Sequence, residues 1–227
     1  MNMQDFILFL VLLVLFIGMV LFLNLLDKKK IAGGEITRKM GHLILGGILL
    51  LLPCFEMILY PILLCFTIAG IIFLSSKSSK LPCADSVQRK THGTYLYPIG
   101  ILLCFCISKL LVVENLFYIS ILILIFSDVF SAMVGQISVK KQWTFLFNGT
   151  NKKIYRVFNK TIYGSMAFLF STLIILFLYF GHDISIMNIV VLSMLITLSE
   201  MVSTRGFDNV VIPVVSILLL YAVYFII

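Results

Sequence analysis

Charge is scarce in this chain. Asp, Glu, Lys and Arg make up 12% of its 227 residues, against 61% hydrophobic residues. That excludes an ordinary water-soluble domain, whose surface would be too apolar to stay in solution. The five cysteines, Cys54, Cys65, Cys83, Cys104 and Cys106, are odd in number and include no CxxC pair. A disulfide framework or a zinc site is therefore disfavoured, and they read as small apolar fillers. No GxxxxGK[ST] run is present, so any nucleotide has to be held without a P-loop. The net charge of +7 comes from residues in short loops between apolar stretches. Membrane orientation explains such a distribution better than nucleic-acid binding does.

In place of charge the chain has apolar runs, each long enough to cross a hydrocarbon core of about 30 Å. They predict an all-α, polytopic transmembrane helical bundle of about eight spans, forming a single domain over 1–227. The expected spans are 6–26, 35–52, 57–74, 94–112, 116–135, 161–180, 186–203 and 210–227. The first lacks a basic leader, is too long for a signal-peptide core and is followed by Lys28, Lys29 and Lys30, so it reads as a retained helix. If the chain alternates, the loops at 27–34, 75–93, 136–160 and 204–209, with the adjoining first helical turns, hold 16 of the 17 Lys and Arg residues, all but Lys109. The opposite loops, 53–56, 113–115 and 181–185, hold none. The positive-inside rule then makes the large loops cytoplasmic and both termini non-cytoplasmic. Two glycosylation sequons, Asn148-Gly149-Thr150 and Asn159-Lys160-Thr161, fall in an expected cytoplasmic loop and read as incidental.

Five polar clusters lie on that side. Glu35, Arg38, Lys39 and His42 follow an i, i+3, i+4, i+7 spacing that puts an acid, two cations and an imidazole on one helix face. A snorkelling anchor would explain Arg38 and Lys39 but not the aligned acid and histidine. Arg89-Lys90-Thr91-His92-Gly93-Thr94 precedes the fourth span, where backbone N–H groups and a hydroxyl could meet an anion; an ordinary loop explains it equally well. Asp128 sits within an apolar span, which is costly unless the carboxylate is paired or faces a wet cavity. Ser131, Ala132 and Gly135 share its face as a small-residue stripe that suits close approach by a helix or a ligand. Asn159-Lys160-Thr161-Ile162-Tyr163-Gly164-Ser165 opens the sixth span, with Gly164 one turn from Lys160 and leaving space beneath its ammonium. Glu200 ends the seventh span, sharing a helical face with Thr197 and Thr204, and Asp208-Asn209 stands where a helix cap would be expected. Three carboxylates, Asp128, Glu200 and Asp208, could hold Mg²⁺, which prefers oxygen ligands and substrate phosphates. Nearby Lys and Arg would neutralise the rest of a triphosphate, the set of parts that phosphoryl transfer requires.

In this order the clusters resemble the membrane CTP-dependent lipid kinases that include phytol, farnesol and dolichol kinases. The matching pieces are E-x-x-R-K-x-x-H (35–42), H-G-T-x-x-x-P (92–98), D-x-x-x-x-x-x-G (128–135), N-K-T-x-x-G-S (159–165) and E…G-x-D-N-x-x-x-P (200–213). The resemblance spans nearly everything after the first helix. It implies transfer of a nucleotide's terminal phosphoryl group, with CTP the usual donor, to the hydroxyl of an isoprenoid or other lipid alcohol at a cytoplasm-facing site in the membrane. It implies Asp128 and Asp208, supported by Asn209 and Glu200, as Mg²⁺ ligands. Arg38, Lys39, Arg89, Gly93, Thr94, Lys160, Gly164, Ser165 and Asn209 would form the nucleotide site, and His42 or a carboxylate would orient or deprotonate the alcohol. One departure is Gln136-Ile137-Ser138-Val139-Lys140-Lys141, an expected phosphate-contacting loop without the second glycine that relatives usually carry. The alternatives are CDP-lipid synthesis of the phosphatidate cytidylyltransferase type, whose long C-terminal signature is not found here, and a small transporter using Asp128 and Glu200 as a relay. Partners would be lipid and nucleotide, not nucleic acid.

Overall fold

A computed structural model describes residues 3–29, 34–77, 93–140, 156–157, 160–204 and 206–226. Helices dominate, as the apolar runs require: a chain in lipid has to satisfy its backbone polar groups internally. In order they are α1 (Met3–Lys28), α2 (Gly34–Leu49), α3 (Leu59–Lys77), α4 (Gly93–Leu111), α5 (Glu114–Leu122), α6 (Asp128–Lys140), α7 (Ile162–Phe180), α8 (Ile186–Val202) and α9 (Asp208–Ile226). A widened π-type turn, Ile123–Ser127, joins α5 to α6 without a break.

Among the described residues six stretches are long and apolar enough to cross a membrane: Met3–Lys28, Ile36–Cys54, Gly93–Leu111, Glu114–Ser138, Ile162–Phe180 and Asp208–Phe225. Leu59–Ser75 and Ile186–Val202 are apolar but shorter. Each expected span thus has a helix, with differences at the edges. The second helix stops at Leu49 and a short 3-10 turn, Leu52–Cys54, follows with Pro53 in its first positions, because proline fits the start of such a turn and not a helix interior. The fifth runs on to Lys140, so residues 136–140, expected as loop, are helical. The architecture is all-α as expected, and the described residues add one two-residue antiparallel ladder beside the helices: β1 (Arg156–Val157) pairs with β2 (Lys160–Thr161), Arg156 opposite Thr161 and Val157 opposite Lys160.

Helix α4 packs against α2, α3, α5 and α9, while α6, α7, α8 and α9 pack in succession and α1 lies along α2 and α3. The core between them is apolar, with Phe16, Leu49, Ile68, Phe105, Phe117 and Phe168 all fully buried. The outer faces are apolar too, as in Val14, Leu21, Phe66 and Leu178, which suits contact with lipid tails. The α4–α9 crossing is very close: a Cβ at Gly100 would overlap the backbone carbonyl of Asn209. Only a glycine there lets α9 bring its first turn against α4, the small-residue approach typical of membrane helices.

Candidate functional site

One end of the bundle collects side chains from α2, α4, α6, β2, α7, α8 and α9. Lys39 and His42 are buried on α2, at 7% and 3% exposure. Lys39 donates to Asp128, which stands at the first position of α6 and is itself buried. The π-type turn just before it matters for that placement. Such turns recur at functional sites because the extra residue re-aims the side chains beyond it, and here the consecutive Ser127 and Asp128 are both inside the bundle. Ser127 accepts a hydrogen bond from Thr172 Oγ1 of α7 at 3.1 Å, while Asp128 faces α2.

Lys160 is the hub of the second group. Its Nζ lies 2.8 Å from Glu200 Oε1 on α8 and 2.8 Å from Asp208 Oδ2 on α9. Residue 160 belongs to β2, whose other residue, Thr161, caps α7 by accepting the Gly164 N–H at 3.2 Å. The strand therefore sets the lysine at the mouth of the helix rather than along it. Ser165 Oγ donates to the other Glu200 oxygen at 3.5 Å. Burial opposes the charge of Lys160, but Asp208 and Glu200, with Asp128 behind them, outweigh it and hold the ammonium well above the usual lysine range. The two groups sense one another, since Asp128 also feels Lys160 and Arg38.

The α9 entrance closes the site from the side of α4. Asn209 is buried and its Nδ2 donates to the Gly93 carbonyl at 2.6 Å. A Cβ built on Gly93 would lie 3.0 Å from Asn209 Nδ2 and 3.6 Å from Arg38 Nη1, which puts α2, α4 and α9 within reach of one another at this level. Asp208 Oδ1 accepts the Asn209 N–H at 3.1 Å, so its carboxylate serves the helix start and Lys160 together. Tyr97 stacks on His42, ring centroids 4.4 Å apart with 16° between planes, and its hydroxyl donates to the His42 carbonyl at 2.7 Å.

Of the residues singled out in the sequence, Lys39, His42, Gly93, Asp128, Lys160, Ser165, Glu200, Asp208 and Asn209 meet here, with Arg38 beside Gly93. Thr94 lies half-buried in the first turn of α4. Arg89 and the side chain of Glu35 fall outside the described residues. Gly164 has a packing role, because Thr161 and Ser131 fill the space where its side chain would be. The stripe of Ser131 and Gly135 is thus where α7 crosses α6. Thr204, expected on the face of Glu200, lies beyond the end of α8 and is exposed. Tyr97 was missed, although it sits one turn after Gly93 in the same H-G-T-x-x-x-P segment.

The expected Mg²⁺ set does not come together. Among the described residues no three His, Cys, Asp or Glu side chains are grouped as metal ligands. Lys160 stands between Glu200 and Asp208, and Lys39 occupies Asp128, so the cationic partner of each carboxylate is an ammonium. The cluster does not fit a resident metal held by all three.

The chain matches no protein-family model, no curated protein and no solved structure.

Proposed function

We propose that this chain is a membrane-embedded lipid-alcohol kinase, transferring the terminal phosphoryl group of a nucleotide, CTP by the resemblance of its motifs, to the hydroxyl of an isoprenoid or similar lipid alcohol. The observation that carries the reading is the convergence of Arg38, Lys39 and Lys160 with three carboxylates and His42 at one end of an apolar bundle. Phosphoryl transfer needs little covalent chemistry from a protein; it needs cations placed around the phosphates and a group that orients the nucleophile. Lys39 and Lys160 are cations of that kind, held in place by carboxylates until a polyphosphate competes for them. A divalent cation would arrive on the nucleotide as part of the substrate, a role that asks for one or two carboxylates and not three. Asn209 and Gly93 tie the helices around the place where the phosphates would lie.

On this reading the chain has about eight spans, the polar end faces the cytoplasm and both termini lie on the other side, supported by the one-sided distribution of Lys and Arg. A water-soluble nucleotide and a lipid hydroxyl then meet at the boundary that each can reach.

The test is an assay of the purified full-length protein with CTP or ATP against a panel of prenols and diacylglycerol. The expected products are a lipid monophosphate and the nucleoside diphosphate. Pyrophosphate with a CDP-lipid would establish cytidylyl transfer instead, and no phosphorylated lipid with any acceptor would sink the kinase reading.

A further inference from the structure

The buried acid–base groups of the cluster are of two kinds. Asp128 is engaged by Lys39, while Glu200 and Asp208 share Lys160. His42 is as buried as Asp128 and Glu200, yet among the described residues neither of its ring nitrogens has a hydrogen-bond partner. A neutral imidazole carries one donor and one acceptor. Leaving both unmade inside a bundle costs folding free energy that a bound polar ligand would return.

Packing fixes that ring in place rather than leaving it free. Tyr97 stacks on one face, its hydroxyl held by the His42 carbonyl. Gly46, one turn along α2, leaves the room that hydroxyl occupies; a Cβ there would collide with it. The imidazole is oriented between α2 and α4 while its polar edge meets no hydrogen-bond partner among the described residues. The charges acting on it are Lys39 and Arg38 from its own helix and Asp208 from α9. From α4, Tyr97 covers one face of the ring, while Lys39 is engaged by Asp128 of α6 and the neighbouring Gly41 packs near the apolar Leu23 of α1.

Resting on the kinase reading above, we infer that His42 receives the acceptor hydroxyl and takes its proton, with Tyr97 as a positioning residue that holds the imidazole for it. The alcohol oxygen attacks the terminal phosphorus and forms the new O–P bond. The bond from that phosphorus to the bridging oxygen breaks, and the nucleoside diphosphate leaves with the electron pair. The alcohol's proton passes to the unprotonated ring nitrogen of His42 and from there to solvent. The carboxylates are spared for the lysines, which explains how one site keeps both a base and a set of neutralised acids.

Two measurements test this. In the kinase assay His42→Gln is expected to lower kcat by about 100-fold while the nucleotide KM stays within about threefold, the pattern of a lost general base. His42→Ala is expected to regain part of its rate when methylimidazole is added, which a merely structural role would not allow. Tyr97→Phe keeps the ring and loses only the hydroxyl, and should lower kcat by about tenfold through misplacement of the imidazole. A His42→Gln rate within about threefold of wild type, a nucleotide KM that rises in step with the lost rate, or no rescue of His42→Ala overturns the inference.

The second measurement needs no turnover: NMR of isotope-labelled histidine in detergent, titrated with a short prenol, the His42 signal being the one missing from His42→Gln. Its ring nitrogens are expected to shift on addition of the alcohol. Turnover with an unmoved ring signal removes His42 from the mechanism and leaves the kinase reading standing. A shifted ring without phosphorylation of any lipid keeps the hydroxyl site and removes the kinase. If neither appears, both fall.

Discussion

The two ends of the bundle use polar residues in opposite ways. At the end where α2, α4, α7 and α9 begin, charged groups far apart in sequence meet inside the bundle: the buried Lys39 with Asp128, and the half-buried Lys160 with the buried Glu200 and half-buried Asp208. At the other end, polar groups tie turns. Asp5 of α1 accepts the backbone N–H groups of Glu56 and Met57 at 3.1 and 2.9 Å, pinning the α2–α3 connection. Lys109 pairs with Glu114 across the short α4–α5 turn, on the surface. The ties at this second end close loops, which is a task of the fold. Buried ion pairs contribute little net stability, since desolvation of both charges offsets their attraction. Their concentration at the first end is therefore better explained by chemistry than by folding, in line with the function proposed above.

The largest effect should come from breaking the hub. Lys160→Met leaves Glu200, at 1% side-chain exposure, and Asp208 without their cation, and removing one partner of a buried pair costs about 3–5 kcal/mol. Thermal unfolding in detergent should show a large drop in Tm, and any lipid phosphorylation should vanish. The pH dependence runs in a definite direction. A lysine held above its unfolded value contributes stability that is complete below the ordinary lysine pKa of about 10.4 and is lost only as pH rises past it. Between neutrality and that range, the wild-type Tm should owe no change to Lys160; a fall traceable to it within that window would contradict the geometry.

Next in size is Gly100→Ala. The added methyl meets the backbone carbonyl of Asn209, and backbone cannot move aside as a flexible side chain can. Overpacking of this kind costs about 1–3 kcal/mol, occasionally more. Because Asn209 is the residue whose side chain binds Gly93, the same change should loosen the site. Activity should fall more than a drop in Tm of that size would explain. An unchanged Tm would mean that α4 and α9 cross less closely than the Gly100–Asn209 approach requires.

Much of the fold was legible because its signal is long: apolar runs and the placement of Lys and Arg need no tertiary information. The site was legible residue by residue and illegible as geometry. Asp128, Lys160, Glu200 and Asp208 stood out because charge in an apolar chain is conspicuous, yet nothing in their spacing says that an ammonium stands between two carboxylates. Three acids therefore read as a metal set. Tyr97 stayed hidden for the opposite reason, since an aromatic in an apolar helix looks like core until its hydroxyl is seen on the His42 carbonyl. The π-type turn before Asp128 and the two-residue ladder that carries Lys160 leave no compositional trace, because both are set by packing. Gly164 and Gly135 stayed ambiguous in the sequence, because a small residue admits a ligand and a neighbouring helix equally well.

At the opposite end Asp5→Ala removes an acceptor from two backbone N–H groups at the α2–α3 turn. The expected loss is about 1.5–3 kcal/mol, the range for hydrogen bonds to a charged group. Asp5→Asn, which keeps one acceptor oxygen, should recover roughly half of it. Any kinase activity should persist in both variants once each is folded. A loss of activity without loss of Tm would mean that the two ends are coupled, and the division between them would fail.

The smallest effects lie in the α4–α5 turn, and one of them is a gain. Val112, 86% exposed, adopts φ of 58° in the α4–α5 turn, a left-handed conformation that a β-branched side chain takes only under strain. The strain persists because the turn is held on either side, by the Val113 N–H on the Ser108 carbonyl at 2.9 Å and by the Lys109–Glu114 pair. Val112→Gly relieves it, and should raise stability by about 1 kcal/mol, the lower end of what such a conformation stores. Lys109→Ala, which removes an exposed ion pair, should cost less than that, about 0–1 kcal/mol. Measured side by side, the two variants ask whether the turn is set by its backbone or by its charges. A larger loss from Lys109→Ala than gain from Val112→Gly would make the pair the determinant, and this end would then resemble the charged one more than its exposure implies.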